Sequence, residues 1–351
     1  MKSKTFLVAL SLMIANNVSA QVYEVQWQEQ KSGLTSSFRG LCVVNEKVAW
    51  VSGTRGSYAR TTDGGQTWLA DSVAGATPLD FRDVQAFDAN RAYLMSAGSG
   101  ELSRLYKTVD GGKSWQLQHQ NKIPEGFFDG MAFWDENNGV VVGDPVNGRL
   151  FLLLTSDGGK NWRPLPTEKS PVVMNGEYAF AASGTGIVAL GKNKIRLATG
   201  GAVARVFYSS DRGQTWQVAD TPIVCGNQSS GIFSLAFRDE KHGVVIGGNY
   251  QQHLEAKGNV ALTDDGGQTW HLPKNPESVT FQSCVTFVPE RATRILVAVG
   301  TSGSQCSYDD GQTWRKFSDA AYHTLSFAKS SRSGWAAGGE GRIAKCMINK
   351  K

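Results

Sequence analysis

One eight-residue pattern constrains the fold more than any other feature of this 351-residue chain. It consists of Ser or Thr, any residue, Asp, any residue, Gly, two further residues and Trp. Its six copies span residues 61–68, 108–115, 155–162, 209–216, 263–270 and 307–314. Because successive copies lie about 44 to 54 residues apart, each copy marks one supersecondary unit of a repeat protein.

The segments between the copies share a second pattern, which is typical of strands. Between the first two copies, apolar stretches at 81–87, 92–97 and 102–108 are separated by Gly, Asn and Asp. Such stretches of five to seven residues predict four short antiparallel strands in each repeat. Four strands in about 47 residues are the blade of a β-propeller.

Each residue type within the eight-residue pattern has a physical reason to be there. The carboxylate of Asp63 can accept hydrogen bonds from turn amides, Gly65 can adopt a positive φ, and Trp68 can bury a large ring between blades. We therefore expect the aspartate of each copy to be structural and neither catalytic nor metal-binding. These residues are Asp63, Asp110, Asp157, Asp211, Asp265 and Asp309.

The number of blades follows from the C-terminal residues, which contain strands but no seventh copy. Residues 322–327, 334–337 and 342–347 predict three strands, and residues 22–27 can supply the missing fourth, with Trp27 in place of the tryptophan of the pattern. The sequence thus predicts an all-β, seven-bladed propeller over residues 21–351. The N-terminal strand joins the last blade, and this closure removes free sheet edges.

The first twenty residues have the order of charge, apolar core and small residues that is typical of a secretory signal. Lys2 and Lys4 precede the apolar stretch 6–15, and a small residue, Ala20, ends the segment. We expect cleavage after Ala20 and a secreted or periplasmic protein. The apolar stretch is too short for a bilayer core of about 30 Å, so we expect no membrane insertion.

Composition limits the possible ligands and partners. The formal charge is only +5, without runs of like charge or a basic stripe, so nucleic acid is not an expected partner. The five histidines lack metal-ligand spacing and the Gly-rich loops do not open helices, so we expect neither a metal nor another cofactor.

The five cysteines form no C-x-x-C pair, and their odd number leaves at least one thiol free or paired to another chain, with the connectivity open. We expect a monomer.

Several arginines recur at equal offsets and predict a binding face opposite the eight-residue turns. Arg104, Arg205 and Arg342 begin third strands, and Arg39 and Arg82 begin first strands. Five guanidinium groups at one mouth would suit an anionic protein or glycan partner. In the alternative interpretation each arginine pairs with a nearby acid. The candidate acids are Asp83, Asp129, Asp144, Glu177 and Glu340.

The repeats, the blade count and the N-terminal segment resemble the photosystem II stability/assembly factor family of BNR, or Asp-box, propellers. That resemblance covers roughly residues 22 to 348. It implies a non-catalytic platform whose arginine patch contacts a partner, and Arg39, Arg82, Arg104, Arg205 and Arg342 fit such a patch. Asp144 and Glu177 complete the predicted binding site.

The boxes of this chain also resemble the Asp-boxes of sialidases. The alternative to a binding platform is therefore a glycoside hydrolase that acts on an acidic or complex glycan. Such enzymes use two carboxyl groups, or a tyrosine paired with a glutamate. The candidate groups are Asp129, Asp144, Glu177, Glu255, Glu340, Tyr250 and Tyr322. The Phe-Arg-Ile-Pro string of sialidases does not occur, and their ring has six blades rather than seven.

Overall fold

The computed structural model describes residues 23–290 and 293–350. The predicted signal segment lies outside these residues. Regular structure in the described part consists of 29 strands and four 3-10 helices, at Gly100–Leu102, Thr167–Lys169, Tyr250–Gln252 and Pro276–Ser278. No helix in this part is long and apolar enough to cross a membrane.

The strands form seven antiparallel sheets arranged as the blades of a propeller, as the repeats predict. The first strand of the chain is β1 (Tyr23–Lys31). Blade 1 contains β2 (Phe38–Val43), β3 (Ala49–Gly53), β4 (Ser57–Thr61) and β5 (Leu69–Ser72). Blade 2 contains β6 (Asp80–Ala86), β7 (Ala92–Ala97), β8 (Arg104–Thr108) and β9 (Gln116–Gln120). Blade 3 contains β10 (Phe128–Phe133), β11 (Gly139–Val146), β12 (Arg149–Thr155) and β13 (Arg163–Pro164).

The later blades follow the same plan with one added pair of short strands. That pair, β14 (Glu177–Tyr178) and β17 (Gly200–Gly201), joins the sheet of blade 5. Blade 4 contains β15 (Ile187–Leu190), β16 (Lys194–Ala198), β18 (Arg205–Ser209) and β19 (Gln217–Asp220). Blade 5 contains β20 (Ser230–Phe237), β21 (Gly243–Asn249) and β22 (Val260–Thr263). Blade 6 contains β23 (Cys284–Phe287), β24 (Leu296–Gly300), β25 (Gly303–Ser307) and β26 (Arg315–Ser318). Blade 7 contains β27 (Thr324–Phe327), β28 (Gly334–Ala337) and β29 (Arg342–Lys350).

The fourth strand of blade 5 is reduced to a single pair of residues. Leu262 and His271 bond to each other in both directions, and the ladder stops there. Pro273 follows two residues later and has no N–H to donate, which is consistent with the short pairing.

The ring closes through the N-terminal strand, as predicted. Strand β1 pairs along its whole length with β29, from Tyr23 opposite Lys350 to Lys31 opposite Arg342. The indole of Trp27 donates a hydrogen bond to Oγ of Ser304 in blade 6, at 3.0 Å. The strand is longer than the predicted 22–27, so closure uses nine residue pairs.

The Asp-box turns have the expected geometry. In the first box, Asp63 accepts hydrogen bonds from the main-chain N–H of Thr67 at 3.0 Å and from its hydroxyl at 2.6 Å. Gly65 has a φ of 87° and donates its N–H to Oγ1 of Thr61. These hydrogen bonds, with those to Thr67 the strongest, lower the pKa of Asp63 to about 2. Both oxygens of this carboxylate therefore accept hydrogen bonds inside the turn.

Apolar clusters lie between adjacent blades, and the box tryptophans contribute to them unequally. Trp162, Trp270 and Trp314 are buried, whereas the rings of Trp68 and Trp216 are only partly covered.

A segment ahead of blade 4 fills the centre of the ring. Residues 179–186, here called the channel plug, contact the innermost strands of the surrounding blades. Leu235 donates its N–H to the carbonyl of Thr185 at 3.0 Å, and Thr324 donates its hydroxyl to the carbonyl of Ser183 at 3.1 Å. The hydroxyl of Ser183 in turn donates to the carbonyl of Ser283 at 2.8 Å. The plug separates a cavity of about 1000 Å³ on the box side from a smaller one on the opposite face.

Candidate functional site

The smaller cavity opens on the face opposite the Asp-boxes, which we call the mouth. It has a volume of about 460 Å³ and lies among the starts of the inner strands, with the channel plug as part of its wall. Its charged and aromatic side chains are grouped by blade.

Arg39 and Arg82 line the mouth cavity from the starts of β2 and β6, where the sequence predicts them. Each donates from Nη1 to a carbonyl of the plug, Arg39 to Ala182 at 3.3 Å and Arg82 to Ala181 at 3.2 Å. Arg82 also bonds the carboxylate of Asp80 at 2.8 Å. Burial, followed by the positive charge of Arg82, lowers the pKa of Arg39.

His323 and Arg342 extend this cationic side onto blade 7. Burial lowers the pKa of His323 to about 4, and the charges of Arg39, Arg342 and Arg82 add to the effect. His323 lines the cavity, whereas Arg342 is exposed beside it, does not itself line the cavity and bonds the carbonyl of Gly339 at 3.2 Å. We call these four residues the arginine sector.

Arg205 and Glu177 correct the prediction for this face. They form a buried ion pair, with Nε of Arg205 3.0 Å from Oε1 of Glu177, and Thr199 donates its hydroxyl to the same oxygen. Neither residue lines the mouth cavity, because each satisfies the other inside the blade 4–5 junction. For Arg205, the alternative interpretation, in which an arginine pairs with a nearby acid, is therefore the correct one.

Arg104 does not join the arginine sector either. It starts β8 as predicted, but its Nε donates to the carbonyl of Glu101 at 2.7 Å and the side chain does not line the cavity. Unlike Arg342, it is also not among the arginines whose charges lower the pKa of His323. Equal offsets along the chain therefore identify equivalent strand positions, whereas the local partner decides where each guanidinium points.

Two carboxyl groups of blade 3 face the same cavity, at the start of β10 and the end of β11. The N–H of Ala181 bonds Asp129, and the N–H of Ala179 bonds Asp144. No described residue donates to Oδ2 of Asp129 or to Oδ1 of Asp144, and both oxygens are buried. Burial raises the pKa of Asp144 to about 6, and burial together with the charge of Asp144 raises that of Asp129.

Aromatic rings from the channel plug and from blades 5 and 6 complete the wall. Phe180 of the plug stacks on Phe233 with centroids 4.0 Å apart, and Phe281 packs edge-on against Phe233 at 4.9 Å. Tyr250 packs against Phe233 at 6.1 Å, and Tyr178 against Phe180 at 5.4 Å. Sequence reasoning missed this cluster, although the longer 54-residue spacing around blades 4 and 5 indicated extra chain there.

The remaining candidates for hydrolysis are placed differently. Tyr322 is 1% exposed and packs on Trp27, and burial raises its pKa to about 12. Glu255 and Glu340 do not line the mouth cavity. Only Asp129 and Asp144, with Tyr250 beside them in the wall, lie at the mouth.

Within the described residues, no group of three or more His, Cys, Asp or Glu side chains is arranged to hold a metal ion. All five cysteines are free thiols in the structure, with Cys225 exposed and Cys284, Cys306 and Cys346 buried. The sequence left the disulfide connectivity open, and in the structure none of the five cysteines forms a disulfide.

Comparison with known families supports the repeat assignment. The sequence model of the family described as photosynthesis system II assembly factor YCF48 matches residues 97–222, and that of the BNR/Asp-box repeat matches residues 261–272. No curated protein sequence matches the chain.

Solved structures share the fold at low sequence identity. The structure described as YCF48 bound to D1 peptide has a TM-score of 0.62 and 18% identity, covering 91% of this chain and 94% of its own. YCF48 from Cyanidioschyzon merolae has a TM-score of 0.60 and 18% identity, covering 91% and 98%. The GH74 xyloglucanase from Xanthomonas campestris has a TM-score of 0.59 and 15% identity, covering 91% of this chain and 53% of its own. The chain is thus a BNR β-propeller that resembles the photosystem II assembly factor.

Proposed function

We propose that this propeller is a non-catalytic platform, secreted or periplasmic, that binds an acidic segment of a protein partner at its mouth. The arginine sector carries the proposal, because Arg39, Arg82 and Arg342 come together from three neighbouring blades. A similar propeller, YCF48, has been solved with a bound peptide, which supports a protein partner over a glycan.

The electrostatics of Arg39 favour an anionic ligand. Among the described residues its guanidinium makes one hydrogen bond, to the carbonyl of Ala182, although burial disfavours its charge. A guanidinium has five N–H donors in a fork that fits a carboxylate. A carboxylate from a partner would therefore compensate a charge that the protein itself leaves largely uncompensated.

The binding test uses calorimetric titration of an acetylated, amidated peptide in which four glutamates alternate with alanine, beside its glutamine counterpart. We expect the glutamate peptide to bind at least tenfold more tightly, and its affinity to fall as salt rises. Arg39→Gln with Arg342→Gln should remove this preference. The unfolding temperature should stay close to that of the wild type, because glutamine can still donate to the carbonyl of Ala182 and Arg342 is exposed.

Arg104→Gln is the matched control, since Arg104 starts a strand on the same face but is not among the arginines that act on His323 in the arginine sector. Equal binding of the glutamate and glutamine peptides by the wild type, or equal losses in Arg104→Gln and in the double variant, would refute the proposal.

A glycoside hydrolase is the second candidate, because Asp129 and Asp144 share the cavity and both have raised pKa values, as a general acid requires. Its test is sugar release from xyloglucan and from sialosides. We expect no release by the wild type. Release that is lost in Asp144→Asn would establish the hydrolase instead.

A further inference from the structure

The charged and aromatic side chains of the mouth occupy separate positions around the propeller. Blades 7, 1 and 2 supply the arginine sector, and blade 3 supplies Asp129 and Asp144. Blade 5 and the channel plug supply Tyr178, Phe180 and Tyr250. We call the two carboxyl groups and these three rings the acid–aromatic sector. One mouth therefore offers two chemically opposite surfaces side by side.

Among the described residues, no cation forms an ion pair with the carboxyl groups of the acid–aromatic sector. Arg82 is near enough for its charge to lower the pKa of Asp129, but it forms hydrogen bonds with Asp80 and the carbonyl of Ala181 instead. The plug amides use only part of the acceptor capacity, which leaves one buried oxygen of each carboxyl group open. Buried acceptors of this kind are costly unless a donor reaches them.

The neighbouring rings suit a cationic donor. Burial raises the pKa of Tyr178, and the charges of Tyr250 and Asp144 add to this effect. All three groups line the same cavity. Tyr250 is 46% exposed, so the aromatic side of the sector is open to solvent. A cation beside tyrosine faces gains cation–π attraction as well as the ion pair.

We propose that the acid–aromatic sector binds a basic side chain, a lysine ammonium or an arginine guanidinium, from the protein segment whose acidic residue binds the arginine sector. This inference rests on the proposed function and extends it, since the partner segment then carries both signs of charge. The ammonium or guanidinium donates to the open oxygens of Asp129 and Asp144 and lies against the rings of Tyr178 and Tyr250.

The test uses four acetylated, amidated pentapeptides, Gly-Gly-X-Gly-Gly with X as lysine, norleucine, glutamate or glutamine, titrated by NMR. Norleucine has the shape of lysine without its charge. We expect lysine to bind at least tenfold more tightly than norleucine. Asp144→Asn should bring that ratio close to one, because an amide keeps the hydrogen bond from Ala179 but removes the negative charge.

Glu255→Gln is the matched control, since Glu255 is an acid on the segment that follows Tyr250 but does not line the cavity. It should leave the ratio of lysine to norleucine affinity unchanged. The affinity for the lysine peptide should also rise several-fold between about pH 5 and pH 8, as Asp144 loses its proton. The other charged or titratable groups that line this cavity are Asp129, Arg39, Arg82, Tyr178, Tyr250 and His323. Of these, His323 has a pKa lowered to about 4, below this range.

The same peptides separate the two proposals. A lysine-to-norleucine ratio near one, with glutamate still preferred over glutamine, overturns the acid–aromatic site and leaves the proposed function standing. A large lysine-to-norleucine ratio without preference for glutamate overturns the acidic half of the proposed function and leaves this site standing. Loss of the lysine preference in Glu255→Gln would assign it to general surface charge and refute the site.

Discussion

Aspartate occurs in two opposite environments in this molecule. The box aspartates, such as Asp63, are open to solvent and accept several hydrogen bonds within their own turns, so their pKa values fall. Asp83, on the inner strand of blade 2, is buried beneath the plug. It accepts an N–H from Met131 at 2.8 Å, yet burial outweighs this bond and raises its pKa to about 7.

Asp83 therefore predicts a pH dependence of stability that opposes the usual one. Because its folded pKa lies above the unfolded value, the folded state holds the extra proton, and stability falls as pH rises from about 4 to about 7. We expect Asp83→Asn to remove up to about 4 kcal/mol of this decline, as the neutral amide can still accept from Met131. The measurement is the free energy of unfolding in urea at several pH values.

The comparison between wild type and Asp83→Asn isolates this carboxyl from Asp129 and Asp144, which titrate in both proteins. Parallel stability curves for the two proteins over this range would show that Asp83 is already ionised when folded, contrary to our expectation.

At the scale of single elements, the Asp-box turn does more than reverse the chain. Its tryptophan reaches the neighbouring blade, and the extent of burial differs from box to box. Trp314 is 7% exposed and packs with Val244 and Leu262 of blade 5, whereas the ring of Trp68 is only partly covered. Identical motifs therefore contribute unequally to the blade interfaces.

We expect Trp314→Ala to lower the free energy of unfolding by about 3 to 5 kcal/mol, because removing a buried ring leaves a large cavity. Trp68→Ala is the matched variant in the same motif, and we expect a clearly smaller loss. Both are measured by chemical denaturation. Equal losses would indicate that the turn itself, rather than the ring at the interface, stabilises the blade.

At the scale of the whole molecule, stability depends on the closure of the ring. Strand β1 supplies the outer strand of blade 7 and buries Val25 in a cluster shared with blade 6. Without it, β29 would present a long unpaired edge, and such edges promote association between chains.

A chain that starts at Gln28 should therefore be much less stable than one that ends at Ile348. We expect the first truncation to lose at least about 4 kcal/mol, since Val25 and Trp27 leave the core, and to elute partly as oligomers. The second removes pairs only at the strand end and should lose far less. Thermal unfolding and size-exclusion chromatography compare the two, and equal stability would contradict the role of closure.

Much of the fold could be predicted because its information is local and repeated. The six boxes, the strand pattern between them and Trp27 were enough for seven blades and for ring closure. The single-pair fourth strand of blade 5 could not be predicted, because it lacks the apolar alternation of a normal strand and depends on where Pro273 falls.

The site was predictable only in part, because its geometry depends on contacts between distant parts of the chain. Arg39 and Arg82 lie where their strand positions indicate. Arg205 does not, because its charge is neutralised by Glu177, 28 residues away in sequence. The channel plug could not be predicted from the repeats. Its hydrogen bonds go to the inner strands of other blades, and such contacts produce no periodic pattern in the sequence.

The pairing of β1 with β29 also determines how the disc can be fastened. Strand β29 runs from Arg342 at the mouth towards the opposite face, so Tyr23 and Lys350 meet beside each other on the box side. A linker attached next to Tyr23 or next to Lys350 would turn the Asp-boxes towards a support and leave the mouth facing outward. The molecule can thus be tethered from one side and probed from the other, without covering the surface to which we assign binding.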